Sequence, residues 1–556
     1  MKKSILLLLF FLLVISSVNA QGMVLSNSAD WRDVYSTSLY GNILGIENKF
    51  LTSTRHSTII LGSIAKGTPV QIISSSDNPF VVGYDTIMST QGYNDVEELT
   101  FDNINLELAR LLEDVTKFII VDDSYGYNAL AVASFAVIGN YYVLFADDRN
   151  IGQIENFLEG IFVDEIIIYG QVDRDVKDAL TIYNPEIINL GDRFDNNVEI
   201  VKKYLEIKPT KQTVLTNGEF IETSVMSGYD PVLFIGRSNV PDQIKNFLQD
   251  SEIEIGILIG NELIGTATEI RRQAGISVFV KFAQSPRSPT GGISQVEDLD
   301  RFPMPKYSLN MGVFSVFYNR ATGRLEVTFQ NNVDLITYFL STITITAGDE
   351  TIIVGDEEGV FIDGLEFKTM TYDLELPTEN NVTAEVFTIF GESQKSLENI
   401  FRGTFPVETV EIFDESAINI TDLYYDAGSG AFFLEVKNVG NVGVYVDVEL
   451  IDLWVNGEFV IVGGDEIIFV EPGKTAKVKI SVELVDEEIE SKNNQILIAK
   501  AIYGERENSL INSVSAEFEF KLKKADYMFY ALMVVVIGLF FLIIFKRRNK
   551  KDDEQA

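Results

Sequence analysis

Carboxylates are the most abundant side chains in this sequence that could do chemistry. Asp122 and Asp123 follow the apolar run "KFIIV", and Asp147 and Asp148 follow the next such run, "YYVLFA". The carboxyl ends of parallel strands are where α/β sheets place their ligands, so we expect these four residues at a ligand-binding edge. Their oxygens could hold calcium, and two of them could serve as acid and base in glycan hydrolysis. A solvated rim of acids is the simplest alternative.

Few other side chains could support catalysis. The absence of cysteine excludes disulfides, thiol nucleophiles and cysteine metal sites. The single histidine, His56, lies in "TSTRHSTII", just ahead of a predicted helix, where a helix-start or surface role is expected. No zinc constellation or phosphate loop is present, and a serine hydrolase would have to use His56. We therefore predict that the protein is not an enzyme and has no cofactor other than calcium.

The charge balance restricts the partners. The chain has 82 acidic and 44 basic residues, a formal net charge of −38 and a pI near 4.4. Such a surface repels phosphate backbones, which argues against nucleic acid and favours cations or cationic surfaces. Solubility in a salty exterior is the simpler interpretation of the same charge.

Both ends of the sequence predict export and anchoring. Residues 1–20 carry Lys2 and Lys3, an apolar run and a small-residue cleavage pattern, as in a signal peptide. Residues 527–545 are continuously apolar, and at about 1.5 Å per residue they match a hydrocarbon core of about 30 Å. Basic residues begin the tail at 546–556, as expected on the cytoplasmic side. The prediction is a single-pass, type I protein of the cell membrane with most of the chain outside.

A second long uncharged stretch, residues 128–146, lies between the two pairs of aspartates and must belong to the elements that position them. If it crossed the bilayer, residues 527–545 would run in the wrong direction. Its Ala-rich part is typical of a tightly packed helix, and the following "IGN" is typical of the end of a helix. The segment "YYVLFADD" is typical of a buried strand that ends in acids. We therefore predict a buried helix, turn and strand in a soluble core.

This strand and helix pattern recurs. The segment "FDNINLELARLLE" from Phe101 is echoed by "FDNNVEIVKKYLE" from Phe194. Alternating apolar strands and helices call for parallel sheets covered by helices on both faces. The predicted fold is α/β, with three tandem repeats at 23–113, 114–206 and 207–295.

After about residue 300 the hydrophobic pattern changes to alternation with a period of two. A Pro/Gly/Ser-rich linker at 296–306 precedes two predicted all-β, immunoglobulin-like sandwiches at 307–405 and 406–522. The segments from Gly323 and Gly430 look like two copies of one sandwich start. Asn381 and Asn419 stand in glycosylation sequons of this predicted stalk.

The α/β repeats resemble the type 2 cell wall-binding repeat family of prokaryotic surface proteins. The resemblance covers about half of the chain and rests on "YNALAVASFA" (127–136), "YVLFA" (142–146), "IIIYG" (166–170), "LGDRFDNNVEI" (190–200) and "PVLF" (231–234). It implies a pseudo-threefold head that holds an anionic wall polymer, with Arg193 and Pro231 among the ligand-binding residues. The sequence departs from the family at Asn196, near the family threonine, and the acidity of the chain does not favour an anionic polymer.

The second sandwich resembles adhesion-type (CARDB) modules, on "KNVGNVG" (437–443) and "VEPGKTAKVKISV" (470–482). Together these patterns predict an archaeal surface protein with a structural or adhesive function. It would be an S-layer-like coat component with self-association, or a binder of surface glycan, wall polymer or envelope protein. A solute-binding surface receptor and a membrane-tethered glycan hydrolase are the alternatives.

Overall fold

The computed structural model describes residues 22–260, 263–281, 301–376 and 382–523. The predicted signal peptide at 1–20, the predicted membrane helix at 527–545, the tail and the sequon residue Asn381 lie outside these ranges. Within them, no helix combines the length and the apolar character that a bilayer crossing needs.

The amino-terminal part consists of three four-stranded parallel sheets, which we call units 1, 2 and 3 of the head. In each unit the second strand lies outside the first and the third strand pairs with the first on its other side, so the spatial order is 2-1-3-4. This identity of order confirms the predicted repetition of one α/β unit. The strands are β1 (Met23–Asn27), β2 (Glu47–Phe50), β3 (Val70–Ser75) and β4 (Val96–Phe101) in unit 1; β5 (Lys117–Val121), β6 (Tyr141–Phe145), β7 (Glu165–Tyr169) and β8 (Glu186–Ile188) in unit 2; and β9 (Gln212–Thr216), β11 (Val232–Phe234), β12 (Ile255–Ile259) and β13 (Ser277–Lys281) in unit 3.

Helices connect these parallel strands, as the right-handed crossover requires. The sheet of unit 1 carries a hydrophobic core on each face, and one of these two cores continues through units 2 and 3. The helices are α1 (Trp31–Ile43), α2 (His56–Leu61), α3 (Tyr84–Thr90), α4 (Ile104–Leu111), α5 (Tyr127–Gly139), α6 (Ile151–Glu159), α7 (Arg174–Leu180), α8 (Arg193–Ile207), α9 (Thr223–Met226), α10 (Asp242–Asp250) and α11 (Ile264–Gln273).

The uncharged stretch at 128–146 forms most of α5 and all of β6, and it is buried except near the end of the helix. Helix α5 contacts α1 of unit 1, α8 of its own unit and both α9 and β11 of unit 3. A helix surrounded in this way is apolar on every side. The prediction that this stretch is core is confirmed.

Asparagine side chains join successive units of the head. Asn105 of α4 donates to the Val143 carbonyl and accepts from the Phe145 N–H of β6. Asn197 of α8 makes the same two bonds to Val232 and Phe234 of β11. Each buried amide therefore satisfies backbone groups on the edge strand of the next unit, which stops that edge from pairing elsewhere.

Two β-sandwiches follow, which we call sandwich 1 and sandwich 2. In both, a four-stranded sheet faces a second sheet, and the last strand closes the first sheet by a parallel pairing. The α/β head followed by β-sandwiches confirms this part of the predicted fold class. The strands of sandwich 1 are β15 (Met311–Asn319), β16 (Arg324–Asn331), β17 (Thr337–Ala347), β18 (Glu350–Gly355), β19 (Val360–Ile362), β20 (Phe367–Asp373), β21 (Val382–Gly391), β22 (Asn399–Pro406) and β23 (Glu408–Val410). Those of sandwich 2 are β24 (Ile418–Asp426), β25 (Ala431–Asn438), β26 (Val444–Val455), β27 (Glu458–Gly463), β28 (Ile468–Val470), β29 (Thr475–Ser481), β30 (Ile496–Gly504), β31 (Asn512–Glu519) and β32 (Leu522–Lys523), with helix α12 (Asp486–Ile489) before β30.

Two of the predicted boundaries differ from the structure. Strand β23 pairs with β15, so sandwich 1 continues to Val410 and beyond the predicted end at 405. The end of the predicted linker forms strand β14 (Arg301–Pro303), which pairs with β10 (Phe220–Glu222) of unit 3. Both differences arise because strands of only three residues leave no periodic signal in the sequence.

A buried asparagine at the same place in each sandwich supports their description as two copies. Asn331 donates to the carbonyls of Leu335 and Asp363, and Asn438 donates to those of Val442 and Val470. Both asparagines lie eight positions after the glycines, at 323 and 430, that begin the two similar segments.

Candidate functional site

A cleft of about 640 Å³ lies at the carboxyl ends of the unit 2 strands. The chain passes there from β6 on one side of β5 to β7 on the other side, which is the position where α/β sheets bind ligands. Glu392 of sandwich 1 and residues of β26 and β27 in sandwich 2 complete the opposite wall. The cleft is thus built by three parts of the chain.

Three tyrosines line one side of this cleft. The rings of Tyr125 and Tyr127 stack with their centroids 5.7 Å apart, and the ring of Tyr307 meets Tyr125 edge-on at 5.5 Å. Gly126 allows this arrangement, because a Cβ there would lie 2.5 Å from the sulfur of Met304. The segment after β14 therefore lies against the loop between β5 and α5 and brings Tyr307 to the site.

Asn128 faces the cleft from the first turn of α5. Its residue is only 9% exposed, yet its amide makes no hydrogen bond to any part of the chain that the structure describes. Gly170, with φ +74°, passes within contact of this amide at the end of β7. The amide atoms are open to the cleft, where a bound group could form hydrogen bonds with them.

Arg193, at the start of α8, joins unit 2 to sandwich 1. Its guanidinium is 3.6 Å from Glu392 and also bonds Glu398, while its backbone N–H donates to Glu392 at 3.2 Å. Burial lowers the pKa of the guanidinium, but the two carboxylates outweigh this effect and raise it. Burial also raises the pKa of Glu392 to about 6, although Arg193 opposes that rise.

Sandwich 2 reaches the cleft through polar contacts. Arg174 of α7 bonds Glu488 at 3.1 Å, and Asn189 donates to Glu458. The lining contains five carboxylates and two guanidiniums, those of Arg174 and Arg193. Because both guanidiniums already have carboxylate partners, the electrostatic character of the cleft is negative.

Of the six residues predicted to form the site, two line the cleft and four do not. Asp122 lines the cleft and accepts from the Ser124 N–H at 2.8 Å, and Arg193 lines it as well. Asp123 is paired with Arg32 of unit 1 at 2.6 Å. The remaining three predicted residues are not part of the cleft lining: Asp147 bonds Arg149, Asp148 is exposed beside it, and Pro231 precedes β11 at the opposite end of its sheet.

The described ranges contain no group of three or more histidine, aspartate or glutamate side chains arranged to hold a metal ion. His56 begins α2, where its Nδ1 accepts from the Thr52 N–H at 3.1 Å. Asn419 is exposed on β24.

The stacked tyrosines, Asn128 and Glu392 were not predicted. The available signal in the sequence was "DDSYGYN", in which tyrosines directly follow the acids.

Comparison with known proteins identifies no family. No family model and no curated protein matches the sequence. Among solved structures, Cwp6 from Clostridium difficile is similar at 13% identity and TM-score 0.35, over 43% of this chain and 41% of Cwp6. The chain thus spans less than half of the Cwp6 chain.

Two further structures are similar to a smaller degree. Alpha-2-macroglobulin from Escherichia coli, activated by porcine elastase, has 8% identity and TM-score 0.14 over 40% of this chain and 23% of that one. The CsuC–CsuE chaperone–tip adhesion subunit complex from Acinetobacter baumannii has 10% identity and TM-score 0.14, over 39% of this chain and all of that one. These are weak likenesses of fold.

Proposed function

We propose that the protein is exported, remains tethered at the cell surface and binds a carbohydrate ligand in the cleft between the head and the two sandwiches. The amide of Asn128 is the observation that carries this proposal, because it is nine-tenths buried, unbonded within the described chain and part of the cleft lining. A ligand with hydroxyl groups would supply the missing partners.

The rest of the lining has the chemistry that sugars need. The ring of Tyr127 is covered by the stacked Tyr125 ring and by the Arg193 guanidinium, 5.1 Å from its centroid. Tyr125 and Tyr307 are therefore the rings that would offer apolar surface to a sugar, which is apolar on one face and polar at its rim. Amide and carboxylate groups can bond the hydroxyls. The volume of about 640 Å³ falls within the usual range of about 300–1,000 Å³ for small-molecule sites.

The same lining argues against an anionic wall polymer as the ligand. Arg193, the residue that the family resemblance implies for such a polymer, is already bound by Glu392 and Glu398. An anionic ligand would have to replace these carboxylates inside a negative cleft. We therefore propose that Arg193 positions sandwich 1 instead of contacting the ligand.

Surface attachment rests on the sequence. The signal-like residues 1–20 and the apolar residues 527–545 with their basic flank support a single-pass protein whose head and sandwiches are extracellular. In this arrangement the protein would be an adhesive or glycan-binding component of the envelope.

Binding of neutral oligosaccharides to the purified full-length chain, measured by titration calorimetry across a glycan set, tests the proposal. Tyr125→Ala and Asn128→Leu should each weaken binding by about tenfold or more, since a central contact of this kind is commonly worth about 1–2 kcal/mol. Tyr229→Ala is the matched control, because Tyr229 is 75% exposed and is not part of the cleft lining. Equal affinities for all three variants would refute the cleft as the site.

A further inference from the structure

Four of the five carboxylates of the cleft form no ion pair in the described chain. They are Asp122 after β5, Asp173 after β7, Asp192 before α8 and Glu458 at the start of β27. The first three accept backbone N–H groups, and Glu458 accepts from Asn189 and is attracted by Lys177 of α7. The first three belong to unit 2 and the fourth to sandwich 2, so negative charge is presented from both walls.

The two guanidiniums of the cleft do not balance this charge, and Lys177, which attracts Glu458, is not part of the lining. Arg174 is held by Glu488, and Arg193 by Glu392 and Glu398. A cleft whose walls carry one sign of charge focuses the field and concentrates ligands of the opposite sign. The quadrupoles of the Tyr125 and Tyr307 rings add to this effect, whereas the ring of Tyr127 already faces the Arg193 guanidinium.

From this charge distribution we infer that the preferred ligand is an amino sugar whose amine is free and protonated; this inference rests on the proposed carbohydrate function. An ammonium group would donate charge-assisted hydrogen bonds to the unpaired carboxylates, while the sugar hydroxyls reach Asn128 and the ring stacks on tyrosine. Acetylation removes the charge, and a uronic acid introduces repulsion. The ligand class is therefore a glycan with unacetylated hexosamine.

The test compares three oligosaccharides of equal length, built from glucosamine, N-acetylglucosamine or glucuronic acid, by titration against the full-length chain at about pH 6, where an alkyl ammonium is protonated. The glucosamine form should bind at least about tenfold more tightly than the acetylated form. This advantage should shrink between about 20 mM and 200 mM salt, because a Debye length of about 10 Å at 0.1 M screens the partly exposed carboxylates.

Glu458→Gln should weaken binding of the glucosamine form by a larger factor than binding of the acetylated form, because it removes a charge but keeps a hydrogen-bonding group. Glu350→Gln, at an exposed hairpin of sandwich 1, is the matched control and should change neither. Equal binding of the amine and acetylated forms, or an equal effect of Glu458→Gln on both, overturns the amine inference and leaves the carbohydrate function standing. If no oligosaccharide binds, or if only a sugar-free polyamine does, both are overturned.

Discussion

The ion pair between Arg193 and Glu398 gives the sharpest test of how the head is held against sandwich 1. Their side chains are 8% and 5% exposed. Arg193→Met keeps much of the side-chain volume but leaves two buried carboxylates without a counter-charge, and removing one partner of a buried pair costs about 3–5 kcal/mol. The matched control is Arg324→Met, because Arg324 pairs with Asp373 at 2.8 Å while 44% and 81% of their side chains are exposed. An exposed pair contributes only about 0–1 kcal/mol.

Docking of the head can be measured directly, because the chain has no cysteine that would compete for labels. Two introduced cysteines, at the exposed residues Glu252 of unit 3 and Asp349 of sandwich 1, would carry a donor and an acceptor dye. A loss of 3 kcal/mol corresponds to about 150-fold in the docking equilibrium. Energy transfer in Arg193→Met should therefore fall at a much lower urea concentration than in Arg324→Met.

The pH dependence of the docking loss in Arg193→Met shows whether a buried charge causes that loss. Burial holds the pKa of Glu392 above its ordinary value of 4.5, at about 6, even with Arg193 present. Without Arg193 the pKa of Glu392 should rise further. An acid whose pKa is raised in the docked state is favoured there in its protonated form, so the docked state becomes less stable as the pH rises through that pKa. The penalty of Arg193→Met should thus be small near about pH 4.5 and complete near about pH 8. Equal losses in the two variants, or a loss that does not change with pH, would show that the buried charge is not what matters.

Three further outcomes are expected. Asn197→Leu leaves two backbone groups of edge strand β11 without hydrogen bonds, so it should lower the free energy of unfolding in urea by about 1–3 kcal/mol. Asn105→Leu should do the same at β6. A loss no larger than that caused by replacing an exposed asparagine would contradict the role of these side chains at the strand edges. Gly170→Ala places a Cβ 2.8 Å from the Asn128 amide in a left-handed conformation, so calorimetry should show lower stability, by about 1–2 kcal/mol, together with weaker glycan binding. Burial, and next Asp447 of sandwich 2, raise the pKa of Glu366 from 4.5 to about 8, so contact between the sandwiches should weaken as pH rises across that interval. Burial also raises the pKa of Asp447 to about 6, so the change that belongs to Glu366 is the one above about pH 7. Scattering whose change above about pH 7 is the same in Glu366→Gln would contradict this.

Much of the fold could be predicted because its signals are local or repeated. The uncharged residues 128–146 indicate their burial by composition, and the direction of a predicted anchor excludes a second span. The two sandwiches are recognisable because each begins with a similar strand and turn, and the structure adds that Asn331 and Asn438 fulfil the same role in both.

The site could be predicted only to the level of a sheet edge. The sequence places Asp122 and Asp123 together after β5, but the structure turns one to the cleft and pairs the other with Arg32. Sequence alone cannot separate these two adjacent acids, because the partner of Asp123 is Arg32, which lies 91 positions away in unit 1. Arg193 and Glu392 are 199 positions apart, and such a polar contact between domains has no periodicity to reveal it.

The parallel pairing that closes each sandwich has a mechanical consequence. In sandwich 1, β23 is parallel to β15, and the paired residues run from Phe317 and Glu408 to Asn319 and Val410. In sandwich 2, β32 is likewise parallel to β24. Tension applied along the chain pulls these first and last strands past each other lengthwise, so the bridging hydrogen bonds bear the load together and do not open one after another. A force transmitted through the chain would therefore pull on two modules whose terminal strands are loaded in shear.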